Sequence, residues 1–233
     1  MRKVSPYVTR FALRAGLSAN ALTALMIPTG LLAAVLLTFS NVAGAVGALL
    51  LVQLQLLLDC SDGEVARWRR TSSATGIYLD QLAHYSVEAA IPAALGVRAD
   101  GGWGSLGAWT ALGLAVSVLV LFLKAETHLV LLARARAGQP FTEPTDPLPP
   151  RTERRLRLRD GARLLPFFRP FHAVEASFLG LVTAVADSLA GGHPATRALL
   201  VFLGAMGVVA VLGHVTAVLV SKRLTSPSAE TTD

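Results

Sequence analysis

Asp59, Asp62 and Asp80, followed by His84 and Glu88, are the residues of this chain best suited to chemistry, because they stand inside stretches that otherwise read as membrane. A carboxylate in hydrocarbon is costly, so an intramembrane cluster of acids marks a functional site. Three carboxylates converging at low dielectric call for cations. Hard oxygen donors suit Mg²⁺ or Mn²⁺, which commonly share their coordination with substrate phosphates. Phosphoryl-type transfer fits such a site, with two metals about 4 Å apart stabilising the attacking and leaving oxygens.

The spacing decides which groups meet. On a helix, Asp59, Asp62, Gly63, Ala66 and Arg67 fall within an arc of about 140°. The small residues Gly63 and Ala66 leave room for a ligand to approach the backbone beside the two carboxylates. Gly76, Asp80, His84 and Glu88 recur every fourth residue and form a stripe with about 6 Å per step. A short turn near residues 70–75 between two antiparallel helices would bring Asp80 opposite Asp59 and Asp62. An imidazole has an ordinary pKa of about 6.5, well placed for a general base at neutral pH, but it is a poorer Mg²⁺ ligand than a carboxylate. Glu88, one turn beyond, is placed to accept a proton from the other ring nitrogen and fix the tautomer. A purely structural ion-pair network of the acids with Arg67 and Arg69 is the bland alternative.

The stretch DCSDGEVARWRRTSSATGIYLDQLAH, residues 59–84, resembles the signature of the CDP-alcohol phosphotransferase family, D-x2-D-G-x2-A-R-x8-G-x3-D-x3-D, with His84 in place of the last aspartate. The resemblance implies an integral membrane enzyme that transfers a phosphatidyl or phospho-alcohol group from a CDP-alcohol, in the first instance CDP-diacylglycerol, to an acceptor hydroxyl with release of CMP in phospholipid biosynthesis. Carried over by position, Asp59, Asp62 and Asp80 hold divalent metal, and Gly63, Ala66, Arg67 and Gly76 line the nucleotide site. His84 stands where the family has a general base and further ligand, so His84 and Glu88 together are expected to replace the missing acid. Asn20 and Thr23, in LSANALT, are similar to the family's P-N-x-x-T element, with Ser18-Ala19 in place of Thr-Pro. The family commonly dimerises, and the small-residue run Gly44-Ala45-x-Gly47-Ala48 suits close helix packing.

The elements that must position these residues follow from composition. Of 233 residues, 53% are hydrophobic and 15% charged, which indicates a polytopic membrane protein. Apolar runs at about 20–39, 42–58, 77–97, 106–133, 171–190 and 196–220 each approach the ~20 residues needed to cross a bilayer. The expected fold is therefore an all-α bundle of six transmembrane helices forming one domain, 1–225, followed by a disordered tail at 226–233. Lys and Arg concentrate in the N-terminal segment, the second-to-third connection, the fourth-to-fifth connection with nine arginines, and the C-terminus, while the other side keeps only Arg98 and Arg197. Both termini are thus expected to be cytoplasmic, in a plasma or inner membrane. Ala-, Leu- and Arg-rich usage points to a bacterial source.

The net charge of +6 falls on that face and suits anionic lipid and phosphorylated substrates. Nucleic-acid binding would need a soluble basic domain, and none is visible. Cys60 cannot form an internal disulfide and reads as a small packing residue. The first apolar run is longer than a signal-peptide core, so it is read as a helix that is retained. Residues 4–14 read as an amphipathic helix at the interface. The Pro-rich segment beginning at 138 and its basic neighbour, together 138–165, read as a cytoplasmic loop. Lys124, with His128 on its face, either contacts the acceptor or snorkels and pairs with Glu126. Arg163, Arg169, His172 and Glu175 open the fifth helix; the resemblance implies that basic residues here meet the acceptor, and an interfacial anchor is the alternative. Gln55 lies one turn before Asp59 and could support it. His193 reads as a solvated loop residue, and His214 as a hydrogen bond between helices. Two rival functions remain: a non-catalytic nucleotide- or lipid-binding scaffold with an inactivated site, and a cation transporter, for which no broken helices or paired repeats are seen.

Overall fold

A computed structural model describes residues 4–138 and 171–220. Among these residues the chain is helical, with no strand: α1 (Ser5–Arg14), α2 (Ala19–Leu37), α3 (Val42–Arg69), α4 (Ala74–Ala99), α5 (Ala108–Arg136), α6 (Ala173–Ala190) and α7 (Pro194–Val220), with one 3₁₀ turn at Trp103–Ser105. The loop expected at 138–165 beyond its first residue, the tail at 226–233, and Arg163 and Arg169 lie outside the described residues.

Local chemistry sets the helix boundaries. Ser18, Asn41 and Ser73 each accept a hydrogen bond from a backbone N–H of the first turn, starting α2, α3 and α4. α3 ends at Arg70, which adopts the left-handed conformation with φ 54° and turns the chain towards α4. The expected turn near 70–75 is therefore present, and α3 and α4 run back from it.

The six long helices α2–α7 coincide with the six apolar runs, but five meet the length and apolarity of a membrane span. The exception is α4. It is 26 residues long, yet it carries Asp80, His84, Glu88 and Arg98, and these dilute its hydropathy. The helix least suited to lipid is the one carrying the chemistry, and it is shielded by packing between α2 and α5. α3 lies against α2, α6 and α1, and α5 against α7.

Two clusters form the core. The larger joins Leu37, Val52, Val87, Ile91, Val116 and Leu200 across the bundle; the smaller, with Leu22, Met26, Leu58, Val65 and Ala83, supports the acidic end of α3 and α4. α4 and α5 cross in backbone contact: a Cβ on Gly113 would stand 2.6 Å from the Pro92 carbonyl oxygen, and one on Gly96 2.6 Å from that of Trp109. Only glycine permits this approach, and Ser117 adds a hydrogen bond of 2.6 Å to the Ala89 carbonyl.

α1 is amphipathic, but the side it turns inward is not its large hydrophobes. Ser5, Thr9 and Ala12 are buried, whereas Tyr7 and Phe11 face outwards. The Ser5 and Thr9 hydroxyls donate to the two oxygens of Glu64 at 2.5 and 2.6 Å, tying α1 to α3.

The far end of the bundle is closed by charged side chains bonded to the backbone and hydroxyls of the turns. Arg98 is fully buried and donates to the carbonyls of Phe39, Ser40 and Asn41 in the turn between α2 and α3. Arg197 donates to the Ala99 carbonyl at 3.1 Å and lies over the Trp109 ring. Asp100 accepts from the backbone of Gly107 and Thr110 and from the Thr110 hydroxyl, and Asp187 does the same for Ala195 and Thr196. These acids start α5 and α7 across their turns.

Candidate active site

At the opposite end, the last turns of α3 and the first turns of α4 stand against the start of α2 and enclose a cavity of about 330 Å³. α3 contributes Asp59, Asp62, Gly63 and Ala66; α4 contributes Gly76 and Asp80; α2 contributes Asn20 and Thr23. Two segments far apart in sequence, 20–23 and 59–80, therefore share one wall. The small residues supply the space: the Gly76 backbone is so near the Asn20 carboxamide that a Cβ would stand 3.0 Å from its Oδ1. Arg67 folds back over Gly63, its Nη1 lying 3.2 Å from where a Cβ would stand. Thr71, Ser72 and Ser73, from the connecting turn, complete the rim. The sequence reading missed these three; a Thr-Ser-Ser run inside the signature spacing was the available signal.

The acids divide into two groups. Asp59, Asp80 and His84 can each turn one donor atom to a common point, the three atoms lying within 4.8 Å of one another. His84 Nε2 stands 3.6 Å from Asp59 Oδ1 and 3.4 Å from Asp80 Oδ1. Asp62 stands outside that set. It is buried, and one of its oxygens accepts a 2.5 Å hydrogen bond from the Thr23 hydroxyl, so Thr23 acts on the acid as well as lining the cavity. Among the described residues His84 is the ion-pair partner of Asp59 and Asp80, and neither Arg67 nor Arg69 is. Two carboxylates and an imidazole of intermediate exposure, beside a cavity that Asn20 and Asp62 also line, form a donor set that fits a divalent cation.

Glu88 is placed differently from the sequence expectation. Its Oε1 is 3.9 Å from His84 Nδ1, beyond hydrogen-bond reach. The buried carboxylate is held instead by Lys124 of α5 at 2.8 Å and by His172 at 3.4 Å. Glu88 thus fastens α4 to α5 and to the start of α6. The contact with Glu88 raises the pKa of His172 above the ordinary imidazole value. Lys124 pairs with Glu88 rather than with Glu126, and its ammonium lies 5.6 Å from the centre of the Tyr85 ring. Tyr85 in turn meets His128 Nδ1 at 2.6 Å. The sequence stripe 76–80–84–88 was read along one helix, and the partners that α5 and α6 bring to it could not be seen there. Gln55, expected to support Asp59, is buried among α2, α3 and α4, with its Oε1 beside Gly30.

Three comparisons bear on this arrangement. A family model for CDP-alcohol phosphatidyltransferase matches residues 17–143, which include Asn20, the whole signature and Lys124. The crystal structure of Mycobacterium tuberculosis phosphatidylinositol phosphate synthase in its apo form is similar to this chain, with a TM-score of 0.58 at 17% identity, covering 94% of this chain and 98% of that one. At that identity the likeness is one of fold. No curated protein matched the sequence.

Proposed function

Because the chain belongs to the CDP-alcohol phosphatidyltransferase family, and is by that membership a multi-pass membrane transferase of phospholipid biosynthesis, we propose that it transfers the phosphatidyl group of CDP-diacylglycerol to an acceptor hydroxyl. The observation that carries the reading is the convergence of Asp59, Asp80 and His84 beside the cavity formed by Asn20, Thr23, Asp62, Gly63, Ala66 and Gly76. The cavity takes the CDP part of the donor, with Arg67 at its edge as a guanidinium for phosphate.

Asp59 and Asp80, with Asp62 from the same cavity wall, are the residues that would hold divalent ions, Mg²⁺ or Mn²⁺. When bound, such ions neutralise diphosphate charge and stabilise the attacking and leaving oxygens. Thr23 keeps Asp62 oriented. The acceptor oxygen forms a bond to the phosphorus distal to cytidine, the bond from that phosphorus to the bridging oxygen breaks, and CMP leaves with the electron pair. The acceptor proton goes to His84 Nε2. Because that same nitrogen faces both acids, ligation and proton acceptance exclude each other at any one moment. Glu88 acts on His84 through position alone, keeping α4 fixed to Lys124 and His172, and Lys124, Arg163 and Arg169 are the basic residues assigned to recognition of the acceptor. Residues 1–225 act as one domain, a homodimer in the plasma or inner membrane with cytoplasmic termini.

Release of CMP from CDP-diacylglycerol by the purified full-length protein, screened over glycerol phosphate, inositol phosphate, serine and polyol acceptors with Mg²⁺ or Mn²⁺, tests the reading. His84→Ala should reduce turnover by about 10²-fold or more, and His84→Asp should restore part of it. Full activity in His84→Ala would remove the base from His84. Binding of CDP-diacylglycerol with no CMP release under any acceptor would make the protein a binding member of its family.

A further inference from the structure

A second cavity, of about 260 Å³, lies between the later turns of α5 and α7 and is separate from the acidic site. Its walls are Leu129, Val130 and Val215 with their aliphatic neighbours, and two polar side chains reach it, Glu126 and His214. Glu126 is 7% exposed, and neither carboxylate oxygen has a hydrogen-bond partner among the described residues. Lys124, two residues earlier and on the other face of α5, is already paired with Glu88. A buried carboxylate without a donor is costly, and in a membrane span it is kept for a use.

Depth and shape define what could supply the missing donor. At about 1.5 Å per residue, Glu126 lies about 27 Å along α5 from Ala108, and His214 about 30 Å along α7 from Pro194. A hydrocarbon core is about 30 Å thick, so the cavity opens where lipid head groups begin. Its volume is below the about 300–1,000 Å³ of drug-sized sites, enough for a head group but not for a whole lipid. Aliphatic walls with one carboxylate, which His214 approaches without a hydrogen bond to either oxygen, suit an organic cation: the alkyl part packs on Val and Leu, and the charge meets the acid.

We propose that this cavity binds the ammonium head of an amine-bearing amphiphile, with Glu126 as its counter-ion. The site makes no use of the transfer reaction, and Glu126 is outside the transfer machinery. The full-length protein in maltoside micelles is photolabelled with a diazirine-bearing hexadecylamine, and the labelled peptides are mapped by mass spectrometry. Labelling is expected within 126–133 and 214–219, suppressed by unlabelled hexadecylamine but not by hexadecanoic acid, and lowered by about tenfold in Glu126→Gln, which removes one charge-assisted contact. Val215→Trp, which fills the cavity and keeps the acid, is expected to lower it likewise and serves if Glu126→Gln does not fold. CMP release should stay at the parent level in both. Labelling equal to that by a matched diazirine fatty acid, labelling elsewhere in the chain, or labelling unchanged in the folded variants would overturn the assignment. So would labelling that appears only after removal of residues 221–233, which would assign the cavity to the chain's own end.

Discussion

The two ends of this bundle both hold charged groups inside a largely apolar molecule, and they treat them in opposite ways. At one end Asp100, Asp187, Arg197 and the two terminal nitrogens of Arg98 are held by backbone groups and by threonine hydroxyls across the turns. At the other, Asp59, Asp80 and His84 face one another beside a cavity at 3.4 to 3.6 Å, and two of the three are acids. Polar groups that close on the protein hold it together, whereas polar groups aimed at a cavity await a partner. Charge is common to both ends, and how far the protein itself meets it is what separates structure from chemistry.

The sharpest way to break that distinction is Asp80→Asn. Turnover should fall by about 10³-fold, equivalent to about 4 kcal/mol of barrier. Thermal unfolding should stay level or rise, because one of two neighbouring carboxylates has lost its charge. A large loss of stability with turnover intact would place Asp80 with the structural set. Arg98→Met is the converse experiment. It deprives three turn carbonyls of their donor and leaves Asp187 without a nearby cation, so it should cost about 3 kcal/mol or more of stability in denaturant titration. CMP release per folded molecule should remain near that of the parent protein.

Lys124→Met falls between the two, because Lys124 belongs to both descriptions. It saturates Glu88 as Arg98 saturates its turn, yet it does so one helical turn from His84. The buried carboxylate, left with His172 as its partner, should cost about 2 kcal/mol, and turnover should fall as well. The double variant Lys124→Met with Glu88→Gln should recover most of the stability, since no buried carboxylate is left short of a cation and half-exposed His172 can turn to water. If it also recovers the turnover, Lys124 acts through packing; if not, it touches the acceptor.

What the sequence made legible follows the same division. Spacing along one helix was enough to collect Asp59, Asp62, Gly63, Ala66 and Arg67, and then Asp80 and His84, because helical period and a short turn fix those relations locally. Apolar length was enough for the six long helices, although α4 falls short of a span by composition for the reason that makes it functional. Contacts between helices remote in sequence were out of reach. Thr23 was expected to line a nucleotide site, but its bond to Asp62 depends on the crossing of α2 and α3. The link of Glu88 to Lys124 and His172 needs three helices at once, and the burial of Ser5 and Thr9 rather than Tyr7 and Phe11 depends on Glu64 as a partner.

The smallest effects lie within the saturated end and test whether its members are equivalent. Asp100 and Asp187 make parallel contacts, each accepting from two backbone N–H groups and a threonine hydroxyl at the start of the next helix. They differ in surroundings: Asp187 is 3% exposed and near Arg98, whereas Asp100 is half-buried. Loss of such a cap costs about 1 kcal/mol, within a range of about 0.5–2. Asp100→Ala should sit at the low end, because water replaces the carboxylate, and Asp187→Ala at the high end, because buried donors of Ala195 and Thr196 lose their acceptor and Arg98 loses a nearby negative charge. Denaturant midpoints measured side by side give the order. Equal losses would mean that capping alone accounts for both acids, and that the buried Arg98 is balanced by its three carbonyls without Asp187.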